Sequence, residues 1–360
     1  EEMDEDEELV EKGREWAEKI EAGNEEARSL WERFREESIA YHRKDYERMG
    51  VHFDRFTGES QYVEKAKEVL EEGLEKGVFE RETDGSVSIE FEKEELPSIV
   101  VQKADGTSLY LTRDLATLKE RVEEEGFDHN LYVVGSEQKM HFRQLFRAAE
   151  MMGYDTSGCE HVSYGLLDLP EGSMSSREGR IIRLSDVMDE AEKKAEEKLE
   201  EEGKDLDVAE EVGIGAVKYA NLKVSRNKNI EFDWDQVLSF EGDSGPYLQY
   251  SNTRAKSILE KADEEGEITG MLDDGEYRLL KKLSRFPEKV EAAAENREPA
   301  KLANYLSNLA EEFNSFYHEK RVLDADTEED RLKRLELVGL FVEVTDTGLE
   351  LLGIEPLEEM

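Results

Sequence analysis

At 360 residues the chain is long enough for two domains with sizeable cores. It carries 91 acidic and 48 basic residues, a formal charge of −43, yet its 14 Phe, 13 Tyr and 3 Trp in periodic segments exclude a disordered acidic tail, which would hold few aromatics. Such charge fits a folded protein of a high-salt cytoplasm, because the Debye length falls to about 3 Å at 1 M salt and self-repulsion is screened.

The single cysteine, Cys159, excludes an internal disulfide and a cysteine-built metal cage. No apolar run approaches the roughly 20 residues that span a membrane. The acidic start "EEMDEDEELV" is unlike a signal peptide, so a cytoplasmic location is expected. Glu1 stands where an initiator methionine would, which suggests a piece of a longer chain.

In chain order, residues 1–75 read as helices: Leu30, Trp31, Phe34, Ile39 and Tyr41 recur among charges at roughly helical spacing. "VFERETDGSVSIEF" alternates apolar and polar residues around Asp84-Gly85, a hairpin signal. From residue 97 the rhythm changes. "SIVVQKADGTSLYL" holds one or two strands, "TRDLATLKERVEEEG" a helix closed by Gly126, and "HNLYVVGS" a strand. "EQKMHFRQLFRAAEMMG" is a helix closed by Gly153, and "HVSYGLLDL" a further strand. This alternation implies right-handed crossovers and a parallel sheet. A charged helix at 185–202 and a second from "AEEVGIGAVKYANLKV" follow. A boundary falls near Gly245-Pro246, with Pro246 suited to a first helical turn. From there to about 352 the chain is nearly all helix and predicts a bundle.

In an open parallel sheet, ligands sit beyond the carboxyl ends of the strands. Tyr110 is expected to end one strand and Asp114 to lie in the first turn of the next helix; Ser136, Glu137, Gln138 and His141 follow the strand "LYVV". Each has a plain structural reading as well: Asp114 favours a helix N-terminus, Tyr110 is a strand former, Gln138 is a solvated first-turn residue, and His141 covers core. Together, a carboxylate, a phenol and an amide at one edge suit a guanidinium, whose planar fork pairs bidentately with a carboxylate. "GSMSSREGRIIRL" (172–184) carries Arg177, Arg180 and Arg183 behind glycine and serines; it is either a phosphate-holding loop or one face of a solvated turn. No phosphate-binding G-x-x-x-x-G-K-[ST], zinc-binding H-E-x-x-H or G-x-S-x-G elbow occurs, and no metal site is expected.

"DGTSLYLTRDLA" (105–116), "LYVVGSEQKMHFRQLF" (131–146), "YGLLDLPEGSMSSREG" (164–179), "FEGDSGPYLQYSNTRA" (240–255), "YLSNLAEEFNSFYHEKRVL" (305–323) and "LLGIEPLEEM" strongly resemble arginyl-tRNA synthetases, in the same order along nearly the whole chain. The resemblance, taken as of a halophilic archaeal type, implies a class I synthetase: a Rossmann-like α/β parallel-sheet catalytic domain, here its second half, followed by an all-α anticodon-binding bundle. It divides the chain into a helical connecting region with a small hairpin (1–96), the catalytic half with its signature loop at 172–180 (97–244), and the anticodon-binding domain (245–360).

The implied reaction is ATP-dependent activation of L-arginine, with Mg2+ accompanying ATP, and transfer of the arginyl group to the 2′-hydroxyl of the terminal adenosine of tRNA(Arg). By motif position Asp114 pairs with the guanidinium, Tyr110 flanks it, Gln138 completes its hydrogen bonding, and His141 lies near adenosine or arginine. Met174, Ser175 and Arg177 bind ATP, with Ser175, Ser176 and Arg177 catalytic; Ser173 and Ser176 stand where the family carries lysines. Class I enzymes also carry a His-x-Gly-His signature that is missing here, so the ATP-binding half is expected to lie outside this chain. The alternative is an isolated RNA-binding piece without catalytic activity. For tRNA contact the resemblance points to Tyr247, Tyr250, Arg254, Phe313, Tyr317 and Arg321. Lys256, Arg278, Lys281, Lys282, Arg285 and Lys320 are further candidates for a local basic surface. A monomer is expected, with no membrane contact.

Overall fold

The computed structural model describes residues 7–21, 23–91, 96–168 and 183–360. The loop 172–180, with Met174, Ser175, Ser176 and Arg177, lies outside them. Two helices come first, α1 (Glu7–Glu21) and α2 (Glu25–Arg48). Asn24 caps α2 by accepting from Ala27 N at 3.1 Å, and Glu25 and Glu26 sit at its positive end. The chain divides into two compact units: residues 53–166, and a second made of 1–52 with 167–360.

The unit 53–166 contains α3 (Val63–Glu75), β1 (Glu80–Arg81), β2 (Val87–Ile89), β3 (Ile99–Gln102), α4 (Tyr110–Glu120), β4 (Asn130–Gly135), α5 (Lys139–Met152) and β5 (Cys159–Tyr164). The hairpin turns at Gly85 (φ +95°), where Ser86 N and Oγ donate to Asp84 Oδ1. β3 joins it in an antiparallel three-stranded sheet, β1-β2-β3. Sequence alternation places this strand in the parallel sheet, whereas it pairs antiparallel with β2. The difference lies in pairing: an apolar run such as "SIVV" serves either kind of sheet.

The chain then doubles back at Gly106 (φ +90°), and Leu109 N and Thr112 Oγ1 both donate to Val101 O. Those two bonds start α4 at Tyr110, so this residue opens a helix rather than ending a strand, and Asp114 falls in the second turn. β4 and β5 pair in parallel from Asn130↔Cys159 to Gly135↔Tyr164. Leu111, Leu115, Leu118, Leu145, Ala148 and Met152 bury the facing sides of α4 and α5.

Glu72 of α3 accepts from Lys119 (2.7 Å), Lys76 (2.5 Å) and Tyr154 (2.9 Å). Burial works against its charge, but these donors outweigh it and hold the carboxyl down at about 2. A depressed carboxylate adds stability that is fully present above its unfolded value, about 4.3, and fades as pH falls toward about 2. The melting temperature of Glu72→Gln is therefore expected to drop less than that of wild type between pH 6 and pH 3, as read by parallel thermal scans. Equal acid sensitivity in the two proteins would remove this role.

The other unit continues after residue 167 with β6 (Leu167–Asp168), α6 (Leu184–Glu202), α7 (Ala209–Leu222), β7 (Ile230–Glu231), α8 (Trp234–Val237), α9 (Gly245–Ala262), α10 (Asp274–Leu283), α11 (Phe286–Glu295), α12 (Ala300–Glu319) and α13 (Glu328–Leu351). β6 and β7 pair in parallel. α6 and α7 lie close because Gly213 has no side chain: a Cβ there would sit 2.7 Å from the Ala191 carbonyl. Arg48 ties α2 to both, donating to Asp189 (2.6 Å), Glu192 (3.0 Å) and Glu210 (2.8 Å). In the bundle, Ser244 caps α9 through Tyr247 N, with Pro246 in the first turn. Leu248, Leu279, Leu306, Leu309, Val338 and Phe341 form its core. Among the described residues no helix is long and apolar enough to cross a membrane.

Candidate active site and RNA-contact surface

β4 ends at Gly135, and a single 3-10 turn, Ser136–Gln138, leads into α5. The parallel pairing with β5 aims this turn and the start of α5 at the carboxyl edge of the strand pair. His141 lies in the first turn of α5, and its Nε2 donates to Asp114 Oδ2 of α4 at 2.6 Å. The Asp114 side chain is 41% exposed and that of His141 21%. Oδ1 of Asp114 has no donor among the described residues, so one oxygen is fixed by the imidazole while the other faces an open position. Tyr110, four residues before Asp114, shares its helix face and is 68% exposed. Gln138 is exposed three residues before His141. The two helix starts are thus joined through one carboxylate–imidazole contact.

The sequence reading passed over His161. On β5, its Nε2 donates to Val134 O at 3.0 Å, and its ring stacks on Phe142 at 4.3 Å, next to His141. It fixes the end of β4 against the start of α5. Only the pairing register of β4 and β5 brings it there, so spacing along the chain carried no signal for it. Among the described residues no group of three His, Cys, Asp or Glu side chains is placed to hold a metal ion.

In the bundle, Arg254 lies between two phenol rings, its guanidinium carbon 4.5 Å from the Tyr250 centroid and 5.8 Å from that of Tyr317. Lys204 stands over the Tyr250 ring at 3.5 Å. The Tyr250 phenol is pulled below its usual range, first by hydrogen bonding with Arg254 and against the effect of burial. Burial lowers the Lys204 ammonium. Tyr250, Arg254, Lys261, Tyr317 and Met360 line a cavity of about 390 Å³.

Arg254 also donates to Asn314 Oδ1, and Asn314 Nδ2 donates to the Tyr247 hydroxyl, both at 2.8 Å, so half-buried Tyr247 orders the arginine rather than offering a free ring. Arg321 is exposed, and its carbonyl accepts from Arg334. Phe313 corrects the expectation: it is fully buried and stacked on Phe341 at 3.9 Å and 8°, so no base can reach it. The basic surface thins as well. Lys256 pairs with Asp346 and Glu358, Arg278 with Glu312 and Glu319, and Lys320 with Asp273.

Residues 1–234 match the family described as "tRNA synthetases class I (R), catalytic domain", and residues 248–360 the "DALR anticodon binding domain". The chain is 43% identical over 360 residues to an arginine–tRNA ligase of an Exiguobacterium species, covering 98% of this chain and 64% of that protein. It is 38% identical over 369 residues to the arginine–tRNA ligase of Halothermothrix orenii, covering all of this chain and 65% of that one. The chain therefore spans slightly less than two thirds of the length of these relatives. They are bacterial, and lend no support to the archaeal type expected from the sequence.

Among solved structures, the arginyl-tRNA synthetase of Thermus thermophilus aligns with a TM-score of 0.83 at 27% identity, covering 95% of this chain and 67% of that chain. That of Plasmodium falciparum shares the fold with a TM-score of 0.84 at 24% identity, covering 98% of this chain and 62% of that one. The matched families, with their two domains in this order, place the chain in the class I arginyl-tRNA synthetase family.

Proposed function

We propose that the chain supplies the arginine-recognition and tRNA-recognition parts of an arginine–tRNA ligase. The reaction is ATP-dependent activation of L-arginine and transfer to the 2′-hydroxyl of the 3′-terminal adenosine of tRNA(Arg). The observation that carries this reading is the Asp114–His141 contact at the edge of the β4–β5 pair, which leaves one carboxylate oxygen open. Oδ1 and the second lone pair of Oδ2 can together accept two parallel guanidinium donors, whereas a lysine ammonium is a point charge that cannot match the fork. Tyr110 flanks the bound side chain, and Gln138 takes up a remaining donor.

In the activation step an oxygen of the arginine carboxylate forms a bond to the α-phosphorus of ATP, and the bond to the bridging oxygen breaks as pyrophosphate leaves. The groups needed are positioning ones and positive charge on the phosphates. Arg177 is assigned the charge, with Met174, Ser175 and Ser176 as the phosphate loop. Mg2+ belongs with the ATP phosphates as a substrate ion, and no step is assigned to it.

Residues 97–244 are assigned to the catalytic half and 245–360 to anticodon binding, with 1–96 connecting. The charge of −43 favours a high-salt cytoplasm, and a monomer is the simplest assembly. The silent RNA-binding alternative has less behind it, because the catalytic-family match spans residues 1–234.

The test is arginine-dependent exchange of pyrophosphate into ATP and arginylation of a tRNA(Arg) transcript, by the protein extended to the length of its relatives. Absence of both reactions, with the fold intact, overturns the reading. In the bundle the Tyr250–Arg254–Tyr317 layer is assigned to stacking on anticodon bases. Tyr317→Ala is expected to weaken binding of the transcript by roughly one to two powers of ten, as stacking is worth about 1–3 kcal/mol per base. Anisotropy titration with labelled transcript measures it, and an unchanged dissociation constant would move the contact elsewhere.

A further inference from the structure

We propose that the groove between α11 and α12 is a second RNA-binding surface that grips the phosphodiester backbone. For the identity of the RNA, this rests on the tRNA reading above.

The groove has a volume of about 520 Å³. Its rim carries Lys282, Arg285, Lys289 and Lys301, and its floor includes Ala292 and the ring of Tyr305. The spacing explains the arrangement: 285, 289 and 292 fall on one stripe of the first helix, and 301 and 305 on one stripe of the second. Acids make up 91 of 360 residues, so a wall of this size would ordinarily hold about two, yet none lines it.

The charges here are also less compensated than elsewhere on the bundle. Arg285 and Lys301 are exposed and have no acidic partner among the described residues. Among the described residues the one acidic partner of Lys289 is its neighbour Glu288, at 3.4 Å, and that of Lys282 is Glu312, at 3.3 Å, with Lys282 Nζ also donating to Asn308 O at 2.8 Å. By contrast, the ammonium of Lys256 reaches two carboxylates.

A protein of net charge −43 repels a polyanion at long range. At physiological ionic strength that repulsion is screened within about 8 Å, so binding is decided by local charge. The floor is neutral: the Tyr305 hydroxyl donates to Lys282 O at 2.9 Å, and burial pushes its phenol above the ordinary range. Lys282, Arg285 and Lys289 along one side and Lys301 across from them, over a neutral lining that includes Asn304 and Asn308, match a strand with one charge per unit and ribose between charges.

The experiment compares wild type with the triple variant Arg285→Gln/Lys289→Gln/Lys301→Gln, whose changes are all at the surface. Binding of a tRNA(Arg) transcript and of a transcript with an altered anticodon is followed by anisotropy from about 0.2 to 1 M KCl. Loss of three phosphate contacts should reduce the slope of log K against log[KCl] by about 2. Preference for the unaltered anticodon should stay as in wild type. An unchanged slope overturns the proposal. If wild type shows no anticodon preference and the slope still falls, the tRNA reading fails while the groove stands as an RNA site. If polyglutamate of equal charge competes with the transcript at equal concentration, and only on wild type, the groove is a site for acidic peptides and the RNA assignment is overturned.

Discussion

In the protein extended to the length of its relatives, and on the function proposed above, replacing Asp114 by Asn is expected to lower kcat/KM for arginine by roughly two to four powers of ten in pyrophosphate exchange. The carboxylate is both fixed and accessible: Oδ2 is held by His141 Nε2 at 2.6 Å, Oδ1 has no donor among the described residues, and the side chain is 41% exposed. A bound guanidinium surrenders its water, so removing the opposing charge leaves a desolvated cation unpaired. That costs about 3–5 kcal/mol. Asn keeps the size and one acceptor, so the loss measures charge and the second acceptor rather than shape. It should fall mainly on KM for arginine, with KM for ATP little changed, because the contact is made by the part of the substrate remote from the reacting carboxylate. His141→Ala frees Oδ2 without removing the charge and should cost less than Asp114→Asn. Unchanged arginine kinetics in Asp114→Asn would take the residue out of the site.

How much of this could be read in the chain depends on which interactions are local. Glycine and proline punctuation was legible: Gly153 closes α5 in the left-handed region at φ +85°, Gly85 turns the hairpin, and Pro246 sits in the first turn of α9. Asp114 and His141 were legible as members of one edge, since each lies near a helix start after an apolar run. That they touch was not, because the contact depends on how α4 and α5 pack. Strand partners escaped for a similar reason: nothing in "SIVV" distinguishes an antiparallel neighbour from a parallel one, and Tyr110 was misplaced with it. In the bundle, Tyr317 and Phe313 are equally aromatic and four residues apart. Only packing tells the exposed ring from the one stacked on Phe341. Lysines and arginines look alike in sequence, and partners contributed by other helices decide which remain available to a ligand.

The largest expected effect on stability is at Glu276, which is fully buried at the start of α10. Its Oε2 accepts from Asp273 N (3.0 Å) in a capping box and faces Lys333 Nζ at 3.2 Å, while Oε1 accepts from Arg334 Nε at 2.9 Å. The side chain of Lys333 is 5% exposed and also donates to Met271 O and Asp330 Oδ1. One carboxylate therefore caps α10 and neutralises two cations of α13.

Glu276→Ala removes the cap and leaves a buried ammonium with a weaker partner set. About 3–5 kcal/mol is expected, a fall on the order of 10 °C in the melting transition of the bundle. The double variant Glu276→Leu/Lys333→Met removes both buried charges and should recover most of that loss, since an apolar pair of similar volume is often as stable as the ion pair it replaces. Calorimetry in about 1 M KCl is the suitable measurement. There the Debye length is about 3 Å, so exposed pairs are largely screened while the buried network is not. In such salt a chain of this acidity should depend more on enclosed pairs than on its many surface ones. If Glu276→Ala melts within about 2 °C of wild type under those conditions, the network contributes no more than an exposed pair would.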